Sequence, residues 1–136
     1  MNRYLPDTNV YATYAKGEDA ALIRKVDAHM EDLALSTIAL AEMEYGWQKA
    51  PMETRRIARQ KALVAKLEPK PFDQKCANLY GRIKVRMLHR QTNAHPIGER
   101  DMLLAAHALA IGAVLVTHNT REFSAIPGLD VEDWQA

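Results

Sequence analysis

The sequence of 136 residues has little of what several protein classes require. Cys76 is the only cysteine, which excludes an intramolecular disulfide and fits a reducing compartment. No apolar run approaches the length needed to cross a bilayer. No charged stretch followed by an apolar segment and a small-residue cleavage site marks the N-terminus, so neither export nor membrane association is expected. There is no Gly-rich phosphate loop, and no serine stands in a G-x-S-x-G elbow, which argues against a hydrolase of that type. The histidines at 29, 89, 95, 107 and 118 do not form a zinc spacing such as H-E-x-x-H. His107 fits an ordinary helix position, and His118 fits the loop after a strand. Trp47, Trp134 and the five tyrosines are scattered, as core residues are.

Net charge is also small, at +1. The total hides a division. Residues 49–90 hold 12 basic and 3 acidic side chains, whereas the rest of the chain is acidic. A basic middle of this kind suits either a polyanionic partner or the solvated faces of two amphipathic helices.

What is present is the balance of an ordinary globular chain, with 48% hydrophobic and 26% charged residues. The length suits one domain, residues 1–136, with a buried core. Short apolar runs predict strands at Arg3–Pro6, Leu33–Leu35, Leu67–Pro69, Val114–Thr117 and Leu129–Val131. Helices are expected from Val10, capped by Asn9, to Gly17, then over Ala20–His29 and from Ser36-Thr37 to Lys49. Others are expected over Thr54–Lys66, Phe72–His89 and Arg100–Ala110, with one helical turn at Thr120–Ser124. Gln91–Gly98 reads as a polar loop. The alternation predicts an α/β domain with a short, mostly parallel central sheet flanked by helices.

Ligands of parallel sheets bind beyond the carboxyl ends of the strands, and Asp7 follows the first strand. Glu42 shares a helix face with Ile38 and Tyr45 and lies at the wrong spacing from Thr37 for a capping box. Asp101 shares a face with Leu104, Ala105 and Ala108, though its place in a first helical turn also suits the helix dipole. Glu122 lies three residues after Asn119, the spacing of a capping box. As a set, these acids would repel one another unless a divalent cation stood among them. Oxygen-only ligands suit Mg²⁺ or Mn²⁺, and such clusters hydrolyse phosphodiesters.

The ordered motifs Asp7-Thr8-Asn9, the Glu42 helix and PIGERDMLLAAHALAIGAVLVTHNTREFSAIPGLDVEDW at residues 96–134 resemble the PIN-domain ribonucleases. Among these they resemble the VapC toxins of bacterial toxin–antitoxin pairs, nearly end to end. The resemblance implies a PIN-like fold and an acidic triad of Asp7, Glu42 and Asp101 that binds Mg²⁺, or Mn²⁺. Asn119 stands where many PIN domains carry Asp, and Glu122 supplies charge from one turn later. It further implies hydrolysis of RNA in a tRNA or rRNA loop, leaving 3′-hydroxyl and 5′-phosphate ends. Glu42 or Glu122 would orient or deprotonate the attacking water, and Thr8 and Thr117 would position water or phosphate. Arg55, Arg56, Arg59, Arg82, Lys84 and Arg86 are the candidate RNA-backbone contacts. Implied partners are a second copy of the chain and a cognate VapB-type antitoxin, lying in an apolar groove formed largely by residues 38–66, in the cytoplasm. Two rivals are weighed. A phosphatase of the haloacid dehalogenase type needs an acid at position 9, where this chain has Asn9. A non-catalytic RNA-binding or regulatory PIN domain remains the alternative, because of Asn119.

Overall fold

Five short strands and seven helices alternate along the chain in the computed structural model, which describes residues 2–90 and 97–136, without the side chains at 89 and 90. Most of the loop read at Gln91–Gly98, His95 included, lies outside the described residues, as does the His89 side chain. The elements are β1 (Tyr4–Pro6), α1 (Thr8–Lys16), α2 (Ala20–Ala28), β2 (Leu35–Ser36), α3 (Thr37–Lys49) and α4 (Arg55–Val64). They continue with β3 (Pro69–Lys70), α5 (Gln74–Arg90), α6 (Glu99–Ile111), β4 (Val114–Val116), α7 (Thr120–Phe123) and β5 (Val131–Glu132).

Every strand pairing among the described residues is parallel. Strand β4 lies between β1 and β5, and β2 pairs with β3. A parallel bridge from Tyr4 to Leu33 joins the two pieces, supported by a 2.8 Å bond from Ala34 N–H to the Tyr4 carbonyl. The order across the molecule is therefore β3-β2-β1-β4-β5. The strands are short, and Leu5 of β1, Leu35 of β2 and Leu115 and Val116 of β4 have no exposure to water. Such strands, covered on both faces, read as continuous apolar runs. Helix α1 packs on α2, α3 and α4, while α5 lies along α6 and α6 against β4.

The strands β2, β3 and β5 each begin two residues later, and end one residue later, than the apolar runs suggest. Register explains the shift: Leu35 pairs with Pro69, and Leu115 with Val131. Pro69 opens an edge strand, where a missing N–H does little harm. Helix starts differ as well. Asp7, not Asn9, caps α1: its extended backbone (φ −76°, ψ 172°) ends the strand, and its Oδ1 accepts from Val10 N–H at 3.1 Å. Ser36, not Thr37, caps α3 in the same way. Gly17 closes α1 with φ +79°, and a Cβ there would come within 3.0 Å of an Arg59 guanidinium nitrogen.

Leu115 has no exposure and lies at the centre of β4, flanked by β1 and β5. Leu115→Ala is expected to lower unfolding free energy by about 2–5 kcal/mol, read from urea titrations. A loss under about 1 kcal/mol would mean that this strand is not the centre of the core.

Candidate active site

The chain order reverses at β1, whose neighbours β2 and β4 come from different halves of the sequence. A crevice beyond the strand ends at such a point is where parallel sheets place ligands. Asp7 follows β1 there, with its N–H on the Val116 carbonyl at 2.9 Å. Thr117 follows β4 and donates its hydroxyl to Asp7 Oδ2 at 2.6 Å. The other Asp7 oxygen takes the Val10 cap, so both are held, and the residue is only 4% exposed. Burial pushes the Asp7 carboxyl above the usual carboxylate range, and the Glu42 charge adds to this. The bonds from Thr117, Val10 and Asn9 oppose it.

Glu42 is brought alongside from α3, at the edge of its apolar stripe. Its carboxylate is 19% exposed, accepts from the Thr8 hydroxyl at 2.8 Å and pairs with Arg100 at 2.5 Å. Asp101 enters from the first turn of α6. Its carboxyl is raised by burial and then by the charges of Asp7, Glu122 and Glu42, with Arg100 the one opposing influence. Both first-turn acids of α6 suit the helix dipole, yet they part company. Glu99 turns to α5, pairing with Lys84 at 2.6 Å and taking a hydrogen bond from Tyr80.

Glu122 joins the same field. The capping box does not form: Asn119 makes no side-chain cap bond, and its N–H goes to the Thr117 hydroxyl at 3.0 Å. Asn119 is exposed at the rim. The Thr8 and Thr117 hydroxyls each donate to a carboxylate of the site. Three carboxylates, those of Asp7, Glu42 and Glu122, thus add their charge to that of Asp101, against one cation, Arg100. Among the described residues, no three His, Cys, Asp or Glu side chains are already arranged to hold a metal ion. Asp7 and Glu42 have all four oxygens on protein donors. The donor chemistry still suits a hard divalent cation: oxygen ligands only, with two carboxyls raised by burial and mutual repulsion.

The six basic candidates do not form one patch at this pocket. Arg55, Arg56 and Arg59 are exposed on α4, with Arg59 laid over the Gly17 turn. Lys84 is committed to Glu99 and Tyr80. Arg82 and Arg86 line a groove of about 830 Å³ on α5 together with Leu79, Ile83, Leu109 and Pro127. No residue of the 38–66 segment lines that groove; Tyr45 and Met52 are the exposed large apolar side chains of that segment. His107 is an ordinary buried residue, 2.8 Å from the Ser36 hydroxyl. Two site neighbours escaped sequence reading. Arg100 signals itself only by adjacency to Asp101. Tyr11 is a buried phenol, raised by burial and by the Asp7 charge, whose hydroxyl has no hydrogen-bond partner among the described residues.

A raised carboxyl disfavours the folded state as pH climbs: the contribution is intact below the unfolded value, 3.8 for aspartate, and is lost through the higher folded value. In chelator, Asp101→Asn is therefore expected to melt above wild type near pH 7, by about 2–5 °C, with the gap closing toward about pH 4. A variant that melts lower at neutral pH would contradict the crowding of negative charge.

The profile of the PIN domain matches residues 4–129. The Rickettsia felis protein "Ribonuclease VapC2" is 33% identical, over 96% of this chain and 97% of its own length. The Salmonella typhimurium "tRNA(fMet)-specific endonuclease VapC" is 31% identical, over 98% and 99%. The fold superposes on a chain of the DNA-bound VapBC crystal structure from Salmonella typhimurium with a TM-score of 0.87, at 30% identity and covering 98% of this chain and 99% of that one. With the acidic crevice at the ends of β1 and β4 and this match along nearly its whole length, the chain belongs to the PIN-domain family, among the VapC ribonucleases.

Proposed function

We propose that this chain is the toxin of a type II toxin–antitoxin pair, a divalent-cation-dependent endoribonuclease that stops translation by cutting a tRNA or rRNA loop. The observation that carries this reading is the meeting of Asp7, Glu42 and Asp101 at the crevice beyond β1 and β4, where Thr8, next to Asp7, donates to Glu42 and Arg100, next to Asp101, pairs with it. Asp7, Glu42 and Asp101 would hold the cation, Mg²⁺ or Mn²⁺. When bound, it neutralises phosphate charge and lowers the pKa of a water.

The chain's own residues do the rest. Thr117 and the Val10 N–H aim the Asp7 carboxylate, and Thr8 aims Glu42. Glu42 or Glu122 accepts the proton of the attacking water, whose oxygen bonds to phosphorus as the bond to O3′ breaks. The departing O3′ takes up a proton, leaving a 3′-hydroxyl and a 5′-phosphate. Exposed arginines on α4 and α5 supply contacts to the RNA backbone that weaken with salt. The VapBC relatives are solved as toxin–antitoxin complexes, which supports a VapB-type antitoxin as partner here. We take the working form to be a homodimer in the cytoplasm. Among the described residues, no helix is long and apolar enough to cross a membrane.

RNA incubated with Mg²⁺ is expected to be cut by wild type, and cutting by Asp7→Ala or Asp101→Asn should fall by about 100-fold or more with RNA binding kept. Wild type that binds RNA and leaves it whole in Mg²⁺ and Mn²⁺ would make this a binding domain instead. Thr117→Val removes the one side-chain donor to buried Asp7. It is expected to cost about 1–3 kcal/mol in chemical denaturation and to raise the Mg²⁺ concentration for half-maximal cleavage. Unchanged stability and metal requirement would argue against Thr117 as the brace of Asp7.

A further inference from the structure

Glu42, Tyr45 and Lys49 follow one another along α3 at spacings of three and four residues, so they share a helix face. Glu42 borders the acidic pocket. Tyr45, one step further out, is 67% exposed, and its hydroxyl makes no hydrogen bond among the described residues. The Lys49 ammonium stands 5.1 Å from the centre of its ring. On the other side of Glu42, Arg100 reaches in from α6 with 71% of its side chain exposed. Taken through these contacts and the shared helix face, the groups run cation, acid, aromatic ring, cation.

A ring with cations on either side is the arrangement that holds single-stranded nucleic acid, because every base has a face to stack and every linkage a charge to neutralise. Bases in a duplex are already stacked, so such a platform selects loops. We propose that Tyr45 stacks an unpaired base next to the scissile phosphate, with Lys49 and Arg100 on the flanking phosphates; this rests on the nuclease reading above. Lysine's flexible stem lets Lys49 leave the ring face for a phosphate when a base arrives. Arg100 exchanges the Glu42 carboxylate for a phosphate when that carboxylate turns to a cation. An antitoxin segment is the other candidate for this face. The two flanking cations, close to a pocket suited to phosphodiester chemistry, favour RNA.

The test uses full-length wild type, Tyr45→Ala and Tyr45→Phe on an RNA hairpin whose cut site in the loop is mapped, and on hairpins with an abasic nucleotide at each loop position. Tyr45→Ala should lower kcat/KM on the intact hairpin by roughly 5- to 150-fold, mostly through KM, and Tyr45→Phe should restore it. One abasic position beside the cut should slow wild type by a like factor and slow Tyr45→Ala no further. Tyr45→Ala cutting the intact hairpin as fast as wild type, with or without weaker hold on a co-purified antitoxin, overturns the proposal and leaves the face to protein. A loss that persists equally on every abasic hairpin overturns it too, as a general structural effect. Should wild type bind the hairpin without cutting it, the nuclease reading fails. The same comparison of Kd values for intact and abasic hairpins then decides the platform.

Discussion

A single hydroxyl from Thr117, 2.6 Å from Asp7 Oδ2, ties together residues 110 positions apart and sets the geometry of everything around it. It exists because β1 and β4 run parallel in register, Pro6 opposite Val116, so both chains leave the sheet at the same level. Asp7 N–H completes the pairing on the Val116 carbonyl, and Asp7 Oδ1 starts α1. One buried side chain therefore ends a strand, caps a helix and faces the crevice. Its burial demands those donors, since a carboxylate shut off from water without them would cost several kcal/mol.

The charges around this point do not balance. Asp101 feels three other acids, and only Arg100 answers them. Elsewhere the same helix start is settled: Glu99 has Lys84 and Tyr80. A fold that satisfies one first-turn acid and leaves its neighbour crowded by like charge is keeping strain where a ligand can relieve it. The Arg100–Glu42 pair partly relieves that charge within the chain, and an exposed arginine can be exchanged for another cation at little loss.

Family members with about one third of residues in common keep the fold along the whole chain, with a TM-score of 0.87 in the Salmonella complex.

Much of this was legible in the residues themselves. The apolar run Val114-Leu-Val116, the alanine-rich helix after Gly98 and the order of the four acids predict a parallel α/β sheet with carboxylates at its strand ends. Hydrophobic period and acid spacing are local properties, and they carry that far. Strand limits, the choice of Asp7 and Ser36 as caps, the absent capping box at Asn119 and the different fates of Glu99 and Asp101 are not local. Register across the sheet and the packing of α5 on α6 decided them, because a hydrogen bond or a charge pair depends on which distant donor comes within reach, and only the folded chain sets that distance.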